Sequence, residues 1–242
     1  MYKFPVLEIF GPTIQGEGMV VGRKTMFVRT AGCDYSCSWC DSAFTWDGSS
    51  KEDIKQLTAD EILCRLKKDG GKSFDYVTIS GGNPALFSHL DELINLLHSE
   101  NVKVALETQG SRWQEWFLKI DDLTLSPKPP SSQMITNWKI LDEIIGHLSS
   151  NNRLQYTSLK IVIFTNEDLT YAKKIHERFP HIPLYLQVGN EDLDEDNEER
   201  LMKKLLEKYK WLVNEVMVSS TLNSVHVLPQ LHTLLWGNRR GV

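Results

Sequence analysis

Three of the four cysteines fall within eight residues, in the run Cys33-Asp34-Tyr35-Ser36-Cys37-Ser38-Trp39-Cys40, or C-x₃-C-x₂-C. Thiolates are soft ligands that suit iron–sulfur clusters and zinc. Three closely spaced thiolates can hold three irons of a cubane and leave the fourth iron without a protein ligand. An open metal position is what direct chemistry on a small molecule needs. Zinc would want a fourth ligand nearby, yet no histidine precedes His89. Cys64 lies on an apolar helical stripe with Ile62, Leu63 and Leu66, where it reads as a small buried hydrophobe. In a reducing compartment such clustering points to metal or catalysis rather than disulfides.

Other chemically capable residues recur at the ends of short apolar runs. Arg29 stands four residues before Cys33, at the end of a strand expected over Thr25–Arg29. Ser80 and Gly81-Gly82-Asn83-Pro84 follow an expected strand at Tyr76–Ser80. Glu107-Thr108-Gln109 follows Val102–Leu106, and Ser126-Pro127-Lys128 follows Leu123–Leu125. Further strands are expected at Ser158–Phe164 and Leu184–Val188, with Gln187 near the end of the last.

Helices fill the gaps. Thr58-Ala59-Asp60-Glu61 is a capping box that opens a helix to about Lys68. Leu90, Leu93, Ile94 and Leu97 give helical spacing to Leu86–Ser99. Trp113–Lys119, Ile140–Leu148, a segment capped by Asn166 and running to Phe179, and Glu198–Tyr209 complete the set. Strands alternating with helices, apolar on both faces, predict a parallel sheet, and about six βα units would curl into an incomplete (β/α)6-type barrel. Chemistry in such folds gathers where loops leave the carboxyl ends of the strands. The unusual residues sit there.

The 242 residues suffice for one large α/β domain, with 41% apolar and 24% charged residues to build a core and stay in solution. Twenty-seven basic against 32 acidic residues leave a net charge of −5, which argues against nucleic acid as a partner. No run of about 18 apolar residues suggests a membrane span. Met1-Tyr2-Lys3-Phe4-Pro5 has no apolar signal core behind it, so a cytoplasmic setting is expected.

The cysteine motif, with an aromatic residue before its last cysteine, resembles that of the radical S-adenosylmethionine (SAM) superfamily. Ile9-Phe10-Gly11-Pro12-Thr13-Ile14-Gln15-Gly16-Glu17-Gly18, Phe27-Val28-Arg29, Cys40-Asp41-Ser42 and the closing Trp236-Gly237-Asn238-Arg239-Arg240-Gly241-Val242 are similar to one of its families, the 7-carboxy-7-deazaguanine synthases. The likeness runs over most of the chain. It implies an α/β radical SAM domain over 1–242, with a substrate-binding extension at 1–24 and a tail at 219–242.

The resemblance also implies cofactors and roles. Cys33, Cys37 and Cys40 would ligate a [4Fe–4S] cluster. Trp39, Asp41, Gly82, Ser126, Pro127 and Lys128 would bind SAM. Ser42 would ligate Mg2+, with Asp41 as the nearby alternative. Ile14, Gln15, Gly16, Arg29 and Ser80 would bind the family's substrate, 6-carboxy-5,6,7,8-tetrahydropterin, with Arg29 pairing its carboxylate. Asn83 stands where the superfamily's Gly-Gly-Glu-Pro motif has glutamate, so any carboxylate contact from that position is lost. A flavodoxin-type reductant and a homodimer are implied as well. Two rivals share the cysteine loop: an activating enzyme that makes a glycyl radical on a partner, and a non-catalytic metal or electron-transfer module.

Overall fold

The computed structural model describes residues 2–242. Among these, nine strands form a single open sheet in the order β3-β1-β2-β4-β5-β6-β7-β8-β9. The parallel strands are β2 (Lys24–Thr30), β4 (Tyr76–Gly81), β5 (Lys103–Thr108), β6 (Asp122–Leu125), β7 (Thr157–Ile163), β8 (Leu184–Val188) and β9 (His226–Leu228). Except at its amino-terminal edge, each strand pairs with the one before it in sequence, and the sheet does not close on itself.

Side-chain alternation gives the sheet two different faces. Val77, Ile79, Val104, Leu106, Leu123, Leu125, Leu159, Ile161, Ile163, Leu184 and Leu186 belong to the continuous apolar core. They pack beneath α1 (Ala59–Gly70), α2 (Asp91–Ser99), α3 (Trp138–Ser150), α4 (Asn166–Arg178) and α5 (Glu198–Met217). The intervening positions, Thr78, Thr124, Ser158, Lys160 and Gln187, are buried and polar. The concave face is therefore a hydrogen-bonding surface, as suits a binding chamber.

The edge departs from the six-strand expectation. The stretch before Thr25 forms β1 (Phe4–Ile14), antiparallel to β2, with Phe10 opposite Phe27 and their rings stacked at 4.8 Å. β3 (Lys55–Leu57) pairs antiparallel with the start of β1. The sheet is thus mixed, because its first connection is a hairpin rather than a helical crossover. Short β3 and β9 at its two margins carry too few residues for a periodic signal.

Local corrections follow the capping chemistry. α4 is capped by Thr165 rather than Asn166: the Thr165 side chain accepts from the Asp168 amide, and the Asp168 carboxylate accepts from the Thr165 amide. Asn83 and Pro84 start a 3-10 turn (Pro84–Leu86), and α2 begins only at Asp91. Glu115–Lys119 is likewise 3-10. Cys64 is exposed rather than buried: Ile62, Leu63 and Leu66 supply the inward stripe of α1. Among the described residues no helix is long and apolar enough to cross a membrane. The helix α6 (Leu231–Trp236) closes the chain over the amino-terminal segment, where the Leu231 amide donates to the Gly16 carbonyl at 3.1 Å.

Candidate active site

A cavity of about 200 Å³ opens at the carboxyl ends of β2, β4 and β5. Cys33, Cys37 and Cys40 all line it, and none is in a disulfide. Their loop leaves β2 through Gly32 and is held by the loop after β6. The Ser38 amide donates to the Ser132 carbonyl, Trp39 Nε1 to Ser131 Oγ at 3.0 Å, and Tyr35 OH to the Ile135 carbonyl. Asp168 fixes that second loop by accepting from the Ser131 amide. The cysteine loop and the loop after β6 thereby hold one another.

Cys37 is buried, while Cys33 and Cys40 are partly exposed. Burial pushes Cys33 and Cys40 up and Cys37 up to about 11, so without a metal they hold their protons. Metal binding must displace those protons. Donors already point at two sulfurs: the Tyr35 amide at 3.4 Å and Gln109 Nε2 at 3.6 Å reach Cys33, and Trp46 Nε1 at 3.4 Å reaches Cys40. Such bonds stabilise sulfur-centred negative charge. Among the described residues no three His, Cys, Asp or Glu side chains converge on one metal ion.

The glycine pair has a packing reason that the sequence did not reveal. A Cβ on Gly82 would lie 2.0 Å from the Gly32 carbonyl oxygen, and one on Gly81 (φ +125°) 2.1 Å from that of Thr30. Bare backbone there lets β4 run against the root of the cysteine loop. Gly82→Ala is expected to displace that loop at a cost of about 1–3 kcal/mol. Anaerobic reconstitution should then give less iron per chain than wild type, and an undiminished iron content would contradict this.

Arg29 projects from the end of β2 into the same cavity. Its NH1 donates to Ser42 Oγ at 2.8 Å, and Ser42 Oγ donates to Asp41 Oδ1 at 3.0 Å. Arg29 Nε faces Glu8 Oε2 at 3.0 Å, close enough for a charge pair, but both atoms are buried without an aligned hydrogen bond. Arg240 of the tail holds the other Glu8 oxygen and lies over the Phe44 ring at 3.6 Å. A planar cation held at one edge, with donors to spare, is suited to receive a carboxylate.

At the back of the chamber Lys160, 2% exposed, reaches Glu17 Oε2 and Glu107 Oε1, each at 2.5 Å. Burial works against charge on both Glu17 and Lys160. The opposite charges win, lowering Glu17 below the usual carboxylate range and raising Lys160 above the usual lysine range. Gln230 Nε2 donates to Glu17 Oε1 at 2.9 Å, so the tail secures the same carboxylate. Both glutamates line the cavity. Lys160 was missed in the sequence, although a lysine inside the apolar run Leu159–Ile163 is a signal that a buried anion must face it.

The family model of the radical SAM superfamily matches residues 27–127. Over 238 residues the chain is 63% identical to the 7-carboxy-7-deazaguanine synthase of Bacillus subtilis (strain 168), covering 98% of each. This chain belongs to the 7-carboxy-7-deazaguanine synthase family. A second member, from Bacillus cereus, is 56% identical over 242 residues and matches along the full length of both chains. The fold is shared with QueE from Escherichia coli, at a TM-score of 0.65, 18% identity and 95% coverage of both chains.

In this 7-carboxy-7-deazaguanine synthase family member, most residues expected at the site meet in one chamber. Ile14, Gln15, Gly16, Arg29 and Ser80 line it together with the cysteines, Trp39, Asp41, Ser42, Gly82 and Lys128. Ser126 and Pro127 do not reach the wall. They are buried behind it, where Ser126 Oγ accepts from Lys128 Nζ at 3.1 Å. Gly16 is pressed against the tail, since a Cβ there would lie 2.3 Å from His232 Nδ1. His232 and Val242 also line the chamber. Gln187 is buried with its oxygen accepting from the Gly18 amide at 3.4 Å and its Nε2 unpartnered.

Proposed function

We propose that the protein is a radical SAM lyase that converts 6-carboxy-5,6,7,8-tetrahydropterin to 7-carboxy-7-deazaguanine with loss of ammonia, a step of queuosine and other 7-deazapurine biosynthesis. The observation that carries this reading is one chamber lined by three unpaired thiols, a carboxylate-ready arginine and two lysine-pinned carboxylates. Identity of 63% along nearly the whole of a relative that bears this enzyme name supports it. When bound, a [4Fe–4S] cluster and SAM would supply the one-electron radical chemistry of the reaction.

The chain's own residues do the rest. Cys33, Cys37 and Cys40 would hold the cluster, with the Tyr35 and Gln109 donors on the Cys33 sulfur and the Trp46 donor on that of Cys40. Trp39, Asp41, Gly82 and Lys128 form the SAM side of the chamber, with Ser126 and Pro127 setting Lys128. The backbone of Ile14, Gln15 and Gly16, with Ser80, faces the pterin edge. Glu17 and Glu107 offer acceptors for the amide and amine N–H groups of such a ring. The tail at 219–242 and the extension at 1–24 close one domain around the substrate and exclude water.

Mg2+ fits only as a partner of the substrate. Ser42 Oγ is the loop hydroxyl available, and it is engaged by Arg29 and Asp41. A dication there would face the Arg29 guanidinium, with Asp41 and a substrate carboxylate to offset the added positive charge. Mg2+ would therefore bind weakly without substrate, and its remaining ligands would come from water and substrate oxygens. A flavodoxin-type reductant, a homodimer and a cytoplasmic setting belong to the same reading.

The test is product identity. Reduced, reconstituted protein with SAM, carboxypterin and Mg2+ should yield 7-carboxy-7-deazaguanine by mass. Unchanged carboxypterin alongside vigorous SAM cleavage would favour a different radical enzyme. Arg29→Ala is expected to raise KM for the carboxypterin about 10- to 100-fold, the loss of a charge-assisted hydrogen-bonded pair. SAM cleavage in the absence of substrate should survive. An unchanged KM would remove Arg29 from the substrate site.

A further inference from the structure

We infer that Asn83 and Asp34 form a positioning pair that locks the cysteine loop to the ends of β4 and β5, and that the Asn83 side chain does not contact the cofactor. This rests on the reading of Cys33, Cys37 and Cys40 as cluster ligands. Asn83 is 0% exposed. A primary amide has two donor hydrogens and two acceptor lone pairs. Within the protein, Asn83 uses all four. Its Nδ2 donates to Asp34 Oδ1 at 2.8 Å and to Ser111 Oγ at 3.0 Å. Its Oδ1 accepts from the Ala85 amide at 3.1 Å and from Thr108 Oγ1 at 2.7 Å. Nothing is left over for an ammonium group.

The amide thus joins three loops: the cysteine loop through Asp34, the turn after β4 through Ala85, and the end of β5 through Thr108 and Ser111. Gln109 Nε2 shares the arrangement, donating to Asp34 Oδ1 at 2.6 Å while lying 3.6 Å from Cys33 Sγ. Ser111 Oγ closes the ring by donating to Asp34 Oδ2 at 2.8 Å. This explains why asparagine stands where the superfamily motif has a carboxylate. A glutamate or aspartate at 83 has no hydrogen to give Asp34 and would set two carboxylates against each other. The two positions therefore depend on one another.

The experiment compares reconstituted holoenzymes by the rate at which a ferrous-iron chelator strips the cluster, and by the EPR line shape of the reduced cluster. Asn83→Asp keeps the shape but replaces the donor by a like charge. It is expected to lose iron about tenfold faster, the scale found when partners of metal ligands are removed. The exchange Asp34→Asn with Asn83→Asp removes the facing like charges but also turns a donor toward Gln109 Nε2, so it should recover only part of the lost iron retention. Asp34→Ala attacks the pair from its exposed side without burying a charge, and should also speed iron loss even if Asn83→Asp fails to fold.

Wild-type rates in Asn83→Asp or in Asp34→Ala would overturn the inference. Normal iron retention in Asn83→Asp with weakened SAM binding would show that Asn83 touches the cofactor after all. If wild type itself takes up no cluster, the reading of the cysteines fails first, and this inference with it.

Discussion

Replacing Cys33, Cys37 and Cys40 together by alanine is expected to abolish iron–sulfur cluster assembly and all reductive cleavage of SAM, while the sheet stays folded. The reason lies in where these residues sit. They occupy a loop at the carboxyl edge of the sheet, and the apolar core beneath the helices does not include them. Their thiols are protonated when no metal is bound, because burial raises all three. In the apoprotein they are small, weakly polar side chains whose loss costs little stability. Circular dichroism and thermal unfolding of the triple variant should match the apoprotein, and iron analysis should read near zero. Residual SAM cleavage would show that another group holds the cluster, and would remove the loop from the centre of the chemistry.

Lys160→Met is expected to produce the largest stability loss of any single substitution in the chamber. The wild-type lysine lies between Glu17 and Glu107, nearly inaccessible to solvent. Removing one partner of such a group leaves buried charge uncompensated, at a cost of about 3–5 kcal/mol. For a chain of this size that lowers Tm by roughly 10 °C. The pH dependence carries the sharper signature. Glu17 is lowered in the folded wild type, so its contribution is present above the ordinary carboxylate value of 4.5 and is lost as pH falls through the lowered one. Lys160 is raised, so its contribution is complete below the ordinary lysine value of 10.5 and is lost only as pH rises through the raised one. Between those limits the wild-type arrangement adds no slope. In Lys160→Met the burial that opposes charge on Glu17 is no longer offset by the lysine, so the folded state holds a proton there to higher pH than the unfolded state does. The variant's Tm should fall from pH 5 to pH 8 while wild type shows no matching decline from this group. A variant with wild-type Tm and a flat profile would mean that Glu17 and Glu107 do not depend on Lys160.

The βα core was legible because its signals are periodic. Tyr76–Ser80 and Leu184–Val188 fell within a residue of the strands found, and the capping box at Thr58–Glu61 is formed by both of its hydrogen bonds. The shared edge of cysteines, glycine pair, Glu107–Gln109 and Lys128 followed from strand direction alone. What stayed hidden depends on partners distant in sequence. β1 pairs with β2 through a bulged register around Gly11 and Pro12, in the stretch expected only as a substrate-binding extension. Glu17 acquires its meaning from Lys160, 143 positions away, and from Gln230, 213 positions away. Asn83 looked like a deficient motif until Asp34 and Thr108 were seen to use its amide. Cys64 was misplaced because an apolar stripe fixes the face of a helix only to within a neighbouring position, and Leu63 and Ile62 already filled the inward one.

The open iron corner is tested most directly by Mössbauer spectroscopy of 57Fe-reconstituted protein, with and without SAM. About four irons per chain are expected, and one of them should change its isomer shift when SAM is added while three stay as they were. Four irons indifferent to SAM, or a protein that takes up a single zinc instead, would contradict the claim that three thiolates leave one metal position free for the cofactor.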